Sequence, residues 1–563
     1  MNEHLNDAVT SPQRPEYTDE DFIKLGGFWH SVTRRALNGK ALRIGEIFHN
    51  AARRHPRTEV ELDRALLCTE GNRKVYTVGR LADLVEELGA RLYAAGVRAG
   101  DYVTVYKTDN FDIALLACAV ERIGAVAVLL SPALDGDVVG RMLPRVPAPW
   151  LVTDTDTLDG KLAGVPLDTL TRGVLTSAGP ARPGAVDLAR HAGAARRPQV
   201  RRTPRDPMIV THSSGTTGLP KLAVHCPEGF WHRQAPQKVI SWPIRGKEKA
   251  ALSMTLVHAR FYMALEMFLS RGNSMLVAVD PTPEKIAELL IRTRPGFLET
   301  HPNTFVDWEV LADAPGAPLS SVRFFNAAFD AIHPRTISRM LNASKRSRPL
   351  FFRFYGQSEI GPVSGMWYTR RSADGAAGQC VGFPLFGFIS MRIAGGDRRA
   401  TAGKAGHIEV RGPSQILTYL GEEERYAAEV HDGWWRMGDM GYRDRLGRLY
   451  LLDREVDQIE SMKSNLEAED MLMSRLDELR EVVIVAGPGG EPVPVVATKG
   501  ELPLDLDRWS EAIADLPAMA PVVHCPYDQL PYTATRKIRR RELSRRLADG
   551  EITNFSGTVG DAR

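Results

Sequence analysis

The stretch THSSGTTGLPKLAVH, residues 211–225, concentrates hydroxyl side chains, glycines and one lysine between two short apolar runs. Glycine adopts backbone conformations that other residues avoid, and it lets a ligand approach the main chain closely. Consecutive backbone N–H groups can then surround an anion, and hydroxyls and an ammonium group complete the cradle. We therefore predict a loop that binds the phosphates of a nucleotide, and the alternative is a Ser/Thr/Gly-rich surface linker.

Two familiar nucleotide-binding patterns do not fit this loop. The phosphate loop of kinases and GTPases ends in Gly-Lys followed by Ser or Thr, whereas Lys221 follows Pro220 and precedes Leu222. The loop also lacks the Gly-x-Gly-x-x-Gly pattern of dinucleotide-binding folds. The order SGTTGLPK at residues 214–221 instead resembles the signature loop of the adenylate-forming enzymes, which include acyl-CoA synthetases, luciferases and peptide-synthetase adenylation domains.

This resemblance implies that the loop binds ATP and that Thr216 helps to hold Mg²⁺. The residues it assigns to nucleotide binding here are Ser213, Ser214, Gly215, Thr216, Thr217, Gly218 and Lys221.

A second motif is RFYGQSEIG, residues 353–361, which we place at the end of a strand, where ligands of α/β folds bind. An aromatic ring at Tyr355 can stack on a base, a hydroxyl at Ser358 can bind a phosphate or carboxylate, and Glu359 can hold Mg²⁺. The family has Tyr-Gly-x-Thr-Glu at this point, so Tyr355, Gly356, Ser358 and Glu359 match it with Ser in place of Thr.

Two further motifs follow in the family's order. DGWWRMGDMGYRD places Asp439 after Gly438 in what we interpret as a tight turn, and the resemblance gives this carboxylate to the ribose hydroxyls. Arg454 matches an arginine that contacts the nucleotide. LPYTATRKIRRREL places Lys537 at the position of the catalytic lysine, although Arg536 replaces the usual glycine.

Weaker matches concern the acid substrate and the adenine. His258 lies where the family often has an aromatic residue or histidine near the substrate carboxylate, and we include it with Lys537 and Glu359 among the catalytic candidates. We expect the acid pocket to include Phe261, Tyr262 and Phe324. The adenine-contacting segment falls in residues 324–331, where the register is open.

Composition limits the class of protein. The 563 residues, 43% of them hydrophobic, exceed one ordinary domain and can bury a large core. The formal net charge of +3 gives no indication of a nucleic-acid partner. Five widely spaced cysteines show no metal spacing, which is typical of a reduced, cytosolic protein. Because the N-terminus lacks an apolar leader and no apolar run reaches membrane-spanning length, we expect a cytoplasmic protein without a membrane span.

Hydrophobic patterns predict the fold class. Helix-like segments such as LADLVEELGARLYAAGV alternate with apolar strand-like runs such as AVAVLLSPA, which indicates parallel sheets flanked by helices. Alternation of period two between about residues 398 and 450 favours antiparallel strands or a small barrel. The predicted class is α/β, with a large N-terminal domain of parallel-type sheets, a small β-barrel-like region and a small α+β C-terminal domain. We assign residues 1–40 to an extension, 41–453 to the adenylate-forming domain and 457–563 to a mobile C-terminal domain.

The start of the C-terminal domain departs from the family pattern. The hinge position, usually Asp or Lys, is Val456, and Asp453 replaces a glycine. Lys463 stands where a glycine normally lets the thiol-bearing arm of coenzyme A pass close to the backbone. A long side chain at that point should obstruct the arm.

Three functions stay open at this stage. The first is an acid–thiol ligase that uses ATP, Mg²⁺ and coenzyme A to convert a carboxylic acid into an acyl-CoA through an acyl-adenylate. The second is an enzyme specialised for one half-reaction, which either uses a supplied acyl-adenylate or adenylates for a carrier protein or another nucleophile such as an amine. The third is a nucleotide-binding regulatory protein without turnover, and the presence of Lys537, Glu359 and Asp439 argues against it.

Overall fold

A computed structural model of the chain describes residues 40–213, 219–241, 248–327, 331–385, 388–394, 403–533 and 537–552. The strands are β1 (Glu59–Leu62), β2 (Val75–Thr77), β3 (Tyr102–Val105), β4 (Val126–Leu129), β5 (Trp150–Thr153), β6 (Gly173–Thr176), β7 (Ala185–Asp187), β8 (Ile209–His212), β9 (Leu222–His225), β10 (Ala250–Ser253), β11 (Met275–Val277), β12 (Phe297–Thr300), β13 (Phe324–Ala327), β14 (Leu350–Gln357), β15 (Gly361–Tyr368), β16 (Cys380–Pro384), β17 (Ser390–Ala394), β18 (Gly406–Arg411), β19 (Thr418–Tyr419), β20 (Val430–His431), β21 (Trp434–Arg443), β22 (Leu449–Arg454), β23 (Leu479–Ala486), β24 (Pro492–Thr498) and β25 (Val523–His524).

The α-helices of the described chain are α1 (Ile47–Ala52), α2 (Val78–Ala94), α3 (Asp112–Arg122), α4 (Gly136–Met142), α5 (Thr155–Asp159), α6 (Leu167–Leu170), α7 (Pro227–Ile240), α8 (Ala259–Leu269), α9 (Pro283–Thr293), α10 (Pro302–Asp307), α11 (Pro334–Ala343), α12 (Arg370–Ala373), α13 (Glu423–Ala428), α14 (Asn465–Arg475), α15 (Leu506–Ile513) and α16 (Arg540–Ala548).

The strands form three sheets. An eight-stranded sheet has the order β19-β9-β8-β4-β3-β5-β6-β7, and its strands from β8 to β7 pair in parallel. A fourteen-stranded sheet has the order β17-β18-β21-β22-β16-β15-β14-β13-β12-β10-β11-β1-β2, with β20 beside β21. Its stretch from β14 to β1 is parallel, as is typical of strands joined by crossover helices.

The core lies between the two large sheets. Helices α2, α3 and α8 share one hydrophobic cluster with strands of both sheets, among them Val103 of β3 and Leu252 of β10. Every residue of α3 is buried, because this helix is covered on all sides. Helix α2 ends at Ala94, and Gly96 then adopts a positive φ of 109°, a left-handed conformation that favours glycine. The predicted α/β class is confirmed.

The predicted antiparallel strands between about residues 398 and 450 are also present. Strands β18, β21 and β22 pair antiparallel, and β22 joins the fourteen-stranded sheet through β16. After β22, the helix α14 packs on β23, and β23, β24 and β25 form the third sheet. The division at residues 453–456 stays a prediction.

Two general expectations concern cysteines and membranes. The five cysteines are buried as free thiols. Within the described residues, no helix combines the length and the apolar character that crossing a membrane requires.

Candidate active site

A cavity of about 700 Å³ lies where several parallel strands of the large sheets end. Of the residues predicted to be catalytic or to bind the nucleotide or metal, those that the structure describes line this one cavity: Ser213, Lys221, His258, Tyr355, Gly356, Ser358, Glu359, Asp439, Arg454 and Lys537. Ser214, Gly215, Thr216, Thr217 and Gly218 lie outside the described residues. The structure therefore brings together side chains that are separated by more than three hundred positions in the sequence.

The two ends of the glycine-rich loop are fixed to each other. The backbone N–H of Ser213 donates to the carbonyl oxygen of Lys221 at 2.9 Å, and the N–H of Lys221 donates to the Ser213 hydroxyl at 3.0 Å. The Lys221 ammonium donates to the hydroxyl of Tyr419 at 3.3 Å and lies 4.8 Å from the centre of its ring. The positive charge of Lys221 therefore lies in the cavity beside the aromatic ring of Tyr419.

Glu359 is buried and its carboxylate is held by Tyr419. The Tyr419 hydroxyl donates to Glu359 Oε1 at 2.6 Å. Burial and the charge of Glu359 raise the pKa of Tyr419 above its ordinary value, so the phenol remains a donor. Arg233 fixes the adjoining main chain by donating to the carbonyl oxygens of Ser358 and Glu359 at 2.8 and 3.0 Å. Within the described part of the chain, Glu359 Oε2 accepts no hydrogen bond, and an oxygen of a fixed carboxylate suits a magnesium ion, which prefers oxygen ligands.

Asp439 lies inside strand β21 at an irregularity in its pairing with β22, and not in a tight turn as the sequence suggested. Gly438 has a positive φ of 73°, which lets the strand continue through a bulge at this point. Pairing with Arg454 of β22 therefore overrides the local turn preference of Gly-Asp.

Three groups surround the Asp439 carboxylate. The Tyr355 hydroxyl donates to Oδ2 at 2.5 Å, Gln357 Nε2 donates to the same oxygen at 3.3 Å, and Arg454 Nε lies 3.6 Å from Oδ1. Burial and the Asp439 charge raise the pKa of Tyr355. Gly356 separates Tyr355 from Gln357, and a side chain there would collide with the backbone of Gly361. A carboxylate that is held in this way can accept hydrogen bonds from paired hydroxyls such as those of ribose.

His258 is a neutral donor in this site. Its Nδ1 accepts from the backbone N–H of Arg260 at 3.1 Å, so its proton resides on Nε2, which lies 3.3 Å from the Ser358 hydroxyl. Burial, followed by the neighbouring His301 and cationic side chains that include Lys537, lowers the pKa of His258 to about 3. The imidazole is therefore uncharged at neutral pH and offers an N–H group to the cavity.

Lys537 reaches the cavity from the C-terminal part of the chain. Its backbone N–H donates to the Thr533 hydroxyl at 3.0 Å, and its carbonyl oxygen accepts from the Thr533 N–H at 2.8 Å. Helix α16 behind it is anchored by Arg540, which is ion-paired with buried Glu469 and donates to the Ile484 carbonyl oxygen at 3.0 Å. Arg536 lies outside the described residues.

Charged contacts hold this C-terminal part against the larger domain. His333 Nδ1 lies 2.8 Å from Asp470 of α14, and its Nε2 lies 3.9 Å from Glu481 of β23. Burial lowers the pKa of His333, but the two carboxylates outweigh it and raise the pKa to about 10, so the imidazole is charged at neutral pH. Arg335 donates to the carbonyl oxygen of Leu479 at 2.8 Å, and Arg480 pairs with Asp307 at 2.7 Å.

The segment in which the sequence departs from the family pattern, residues 453–463, combines exposed and buried side chains. Val456 is 48% exposed, and the Lys463 side chain is 81% exposed, with Glu467 at 3.6 Å as its ion-pair partner. Asp453 is buried, and its carboxylate accepts from the backbone N–H of Asn465 at 2.9 Å. Burial is the main cause that raises the pKa of Asp453 to about 7.

The side chains at the end of the cavity near His258, where we expect the substrate, differ from those predicted. Phe261 and Tyr262 are fully buried in the core and Phe324 is 3% exposed, and none of them lines the cavity. Arg260 and Met263 of the same helix α8 line it instead. In the adenine-contacting segment, Ala331 lines the cavity, while residues 328–330 lie outside the described part of the chain.

Sequence reasoning missed several residues of the site. Tyr419 and Gln357 hydrogen-bond to predicted residues, and Gln237 and Arg260 line the substrate end. Gln357 lies within a recognised motif and could have been found there. Tyr419 gave no such signal, because its link to Glu359 arises from β19 pairing with β9.

Comparisons with known proteins identify the family of the chain. The family model described as AMP-binding enzyme matches residues 48–420. A 3-amino-2-hydroxy-4-methoxybenzoate diazotase from Streptomyces cremeus is 57% identical over 547 residues, which cover 93% of this chain and 99% of that protein. An indoleacetate–CoA ligase from Aromatoleum aromaticum is 27% identical over 509 residues, which cover 83% and 92%.

Among solved structures, the amide bond synthetase McbA from Marinactinospora thermotolerans has a TM-score of 0.72 at 21% identity, over 89% of this chain and 99% of that chain. This likeness concerns the fold, whereas the family model and the 57% identical relative cover most of the sequence. The chain belongs to the AMP-binding enzyme family and is an adenylate-forming enzyme.

Proposed function

We propose that this enzyme is an ATP-dependent diazotase that activates nitrite as an anhydride with AMP and transfers its nitrogen to an arylamine of the aminohydroxybenzoate class. The observation that carries the proposal is the 57% identity to a 3-amino-2-hydroxy-4-methoxybenzoate diazotase over 93% of this chain. An amine acceptor is among the acceptors of the second function left open by the sequence, whereas nitrite takes the place of the carboxylic acid that the sequence predicted.

Nitrite suits a site built for carboxylates. Both are bent anions with two oxygens on one central atom, and both are poor electrophiles because an oxide leaves badly. The cavity offers a small oxyanion the Nε2–H of His258, the hydroxyl of Ser358 and the charge of Lys537. Since His258 is neutral, it can donate without adding a second charge beside the ammonium.

In the first half-reaction, an oxygen of nitrite attacks the α-phosphorus of ATP, and the bond from this phosphorus to pyrophosphate breaks. The products are the mixed anhydride of nitrous acid with AMP and free pyrophosphate. Such transfers depend on positioning and on neutralising oxygen charge. Lys537 supplies charge at the α-phosphate, and Lys221 with the glycine-rich loop holds the pyrophosphate half.

The nucleotide is held at its other end by Asp439 on the ribose and by the Tyr355 ring against the base. Glu359 is the residue that would hold Mg²⁺ together with phosphate oxygens, and the ion would neutralise charge on the leaving pyrophosphate.

In the second half-reaction, the amine lone pair attacks the nitrosyl nitrogen, and the bond from this nitrogen to the AMP oxygen breaks. AMP leaves with the electron pair and the amine loses a proton, which gives an N-nitroso arylamine. This compound tautomerises to a diazohydroxide, takes up a proton and loses water to form the diazonium ion. The nitrogen of nitrite enters in the required oxidation state, so no further oxidant is needed.

The departures of the C-terminal segment fit an acceptor other than a thiol. A long side chain at Lys463 replaces the glycine past which a thiol-bearing arm would move. An arylamine is small enough to enter the cavity itself and does not need that passage. We place the domain boundary at residues 453–456, as the sequence predicted.

An acid–thiol ligase that uses coenzyme A is the second candidate. It is favoured by the 27% identity to an indoleacetate–CoA ligase.

Exchange of labelled pyrophosphate into ATP tests the proposal. The purified enzyme with ATP and Mg²⁺ should catalyse exchange when nitrite is added, and a panel of aryl carboxylic acids should give none. Exchange that depends on an aryl acid and not on nitrite would refute the diazotase and favour the ligase.

A further inference from the structure

We propose that Arg260 selects the arylamine by binding an acidic substituent on its ring, so that the enzyme prefers aminobenzoates to simple anilines and aminophenols. This inference rests on the proposed diazotase function and assigns a specificity-determining residue to it.

Arg260 is held in one orientation at the cavity wall. It lies in the first turn of α8, and its Nε and Nη2 each donate to the Glu299 carboxylate at 2.6 Å. The Glu299 side chain is fully buried on β12. A bidentate pair of this kind fixes the plane of the guanidinium as well as its position.

Gln237 of α7 also helps to fix the Arg260 guanidinium. Its Oε1 accepts from Nη1 of Arg260, while its Nε2 donates to the Arg233 carbonyl oxygen at 2.9 Å. Both the oxygen and the nitrogen of the glutamine amide are therefore engaged, and the side chain cannot turn away without losing two contacts. Because three elements converge on Arg260, its guanidinium is pre-organised before a ligand arrives.

The guanidinium keeps donors for a ligand. Glu299 and Gln237 accept from three of its five N–H groups. Within the described residues, the remaining N–H groups on Nη1 and Nη2 have no acceptor, and the Arg260 side chain is 13% exposed and lines the cavity. A carboxylate with two oxygens can accept from N–H groups on both of these nitrogens.

The neighbouring surface suits an aromatic ring. Met263, one turn along α8, and Val306 of α10 contribute apolar side chains to the same cavity. Methionine packs well against aromatic rings. His258 precedes Arg260 by two residues and faces Ser358, so the amine end of a ring can approach the activated nitrite while its acidic group contacts Arg260.

The enzyme should therefore select against amines that leave the remaining N–H groups of Arg260 without a hydrogen-bond acceptor. An arylamine without an acidic group would bury the remaining Arg260 donors without an acceptor, which costs about 1.5–3 kcal/mol, or about 10–100-fold in rate. If the ion pair of Arg260 with Glu299 served only to join α8 to β12, replacing Arg260 would lower the rate equally for all amines.

The test compares 3-amino-2-hydroxybenzoate with 2-aminophenol, which differ only by the carboxylate. We expect the wild-type enzyme to prefer the acid by about 10–100-fold in kcat/KM. Arg260→Met should remove most of this preference through a higher KM for the acid, and Arg260→Lys should reduce it. The control is Arg271→Met, because Arg271 follows the other end of α8, bonds to Ser241 and does not line the cavity.

Two outcomes would overturn the inference: a preference that Arg260→Met leaves unchanged, or a fall of equal size for both amines. If the variants do not fold, the wild-type enzyme decides, since salicylate should compete with the amine and phenol should not. Equal inhibition by both would contradict the role of Arg260. Nitrite-dependent pyrophosphate exchange by the wild-type enzyme reports separately on the proposed function.

Discussion

The Asp439 and Glu359 side chains are buried and accept hydrogen bonds from neighbouring tyrosines, whereas the side chains of Val456 and Lys463 are exposed. The first region contains the charged groups that we propose for adenylation. The second region has Val456 at the predicted hinge position and Lys463 where the resemblance leads us to expect a glycine.

This difference separates the two half-reactions. Activation of an oxyanion by ATP depends on charged groups that are fixed in place before the transition state forms. The acceptor enters afterwards, and its route can change when the nucleophile changes from a long thiol arm to a small amine. The comparison therefore predicts large effects for the charged residues of the cavity and a small effect for Lys463, which does not line it.

The largest effect is expected for Lys537→Ala. Loss of one charge that stabilises the transition state should lower nitrite-dependent pyrophosphate exchange by about 100–1,000-fold, or about 3–4 kcal/mol. Arg545→Ala is the matched control, because this basic residue of α16 is exposed and paired with Glu542. A loss of less than about tenfold at Lys537 would contradict the assigned role.

Asp439→Ala should weaken binding of ATP by about 1.5–3 kcal/mol, or about 10–100-fold in Kd, because two ribose hydroxyls lose a charged acceptor. Isothermal titration calorimetry measures the change. Asp444→Ala provides the control, since Asp444 pairs with Arg448 in the same hairpin and does not line the cavity. An unchanged affinity in Asp439→Ala would mean that the carboxylate only supports the bulge in β21.

His333→Gln tests the contact between the two parts of the chain. Loss of its charged contacts with Asp470 and Glu481 should lower stability by about 1.5–3 kcal/mol at neutral pH. Because the folded pKa of about 10 lies above the ordinary 6.5, this contribution is full below pH 6.5 and disappears as the pH rises through about 10.

Calorimetric melting between pH 6.5 and 10 checks this prediction. The wild-type enzyme should lose stability relative to His333→Gln as the pH rises, and the two should converge near pH 10. Arg339→Gln, on the same helix α11 but paired with exposed Asp313, should leave the pH dependence of the wild-type enzyme unchanged. Parallel curves for wild type and His333→Gln would show that His333 is not charged.

The smallest effect is expected for Lys463→Gly. Its side chain is exposed and its ion pair with Glu467 is a surface pair, so diazotisation should change by no more than about twofold. The rate of diazo product formation is the measurement. A fall of about tenfold would show that Lys463 acts in the reaction, and appearance of a CoA thioester would show that this side chain alone excludes the thiol.

Local sequence patterns predicted much of the fold. Helix α2 and strand β4 follow from hydrophobic periodicity, which depends on neighbouring residues alone. The resemblance of two short segments to motifs of the family predicts Glu359 and Lys537 as site residues, and both line the cavity. Their roles stay predictions.

Residues whose partners are distant in sequence could not be predicted. Tyr419 lies 60 positions from Glu359, and Arg260 lies 39 positions from Glu299. Helix α8 is apolar on almost all sides, so its sequence pattern does not indicate which face meets the cavity. The prediction that Phe261 lines the acid pocket is therefore wrong, because this side chain is buried in the core. For Asp439, pairing between β21 and β22 overrode the turn preference of its own sequence.

The most direct test of the central claim is a reaction with ¹⁵N-labelled nitrite, ATP, Mg²⁺ and 3-amino-2-hydroxybenzoate, with coenzyme A present, followed by mass spectrometry. We predict a diazo product that contains one ¹⁵N atom, formed together with AMP and pyrophosphate, and no CoA thioester. A CoA thioester of the acid, formed whether or not nitrite is present, would contradict the account.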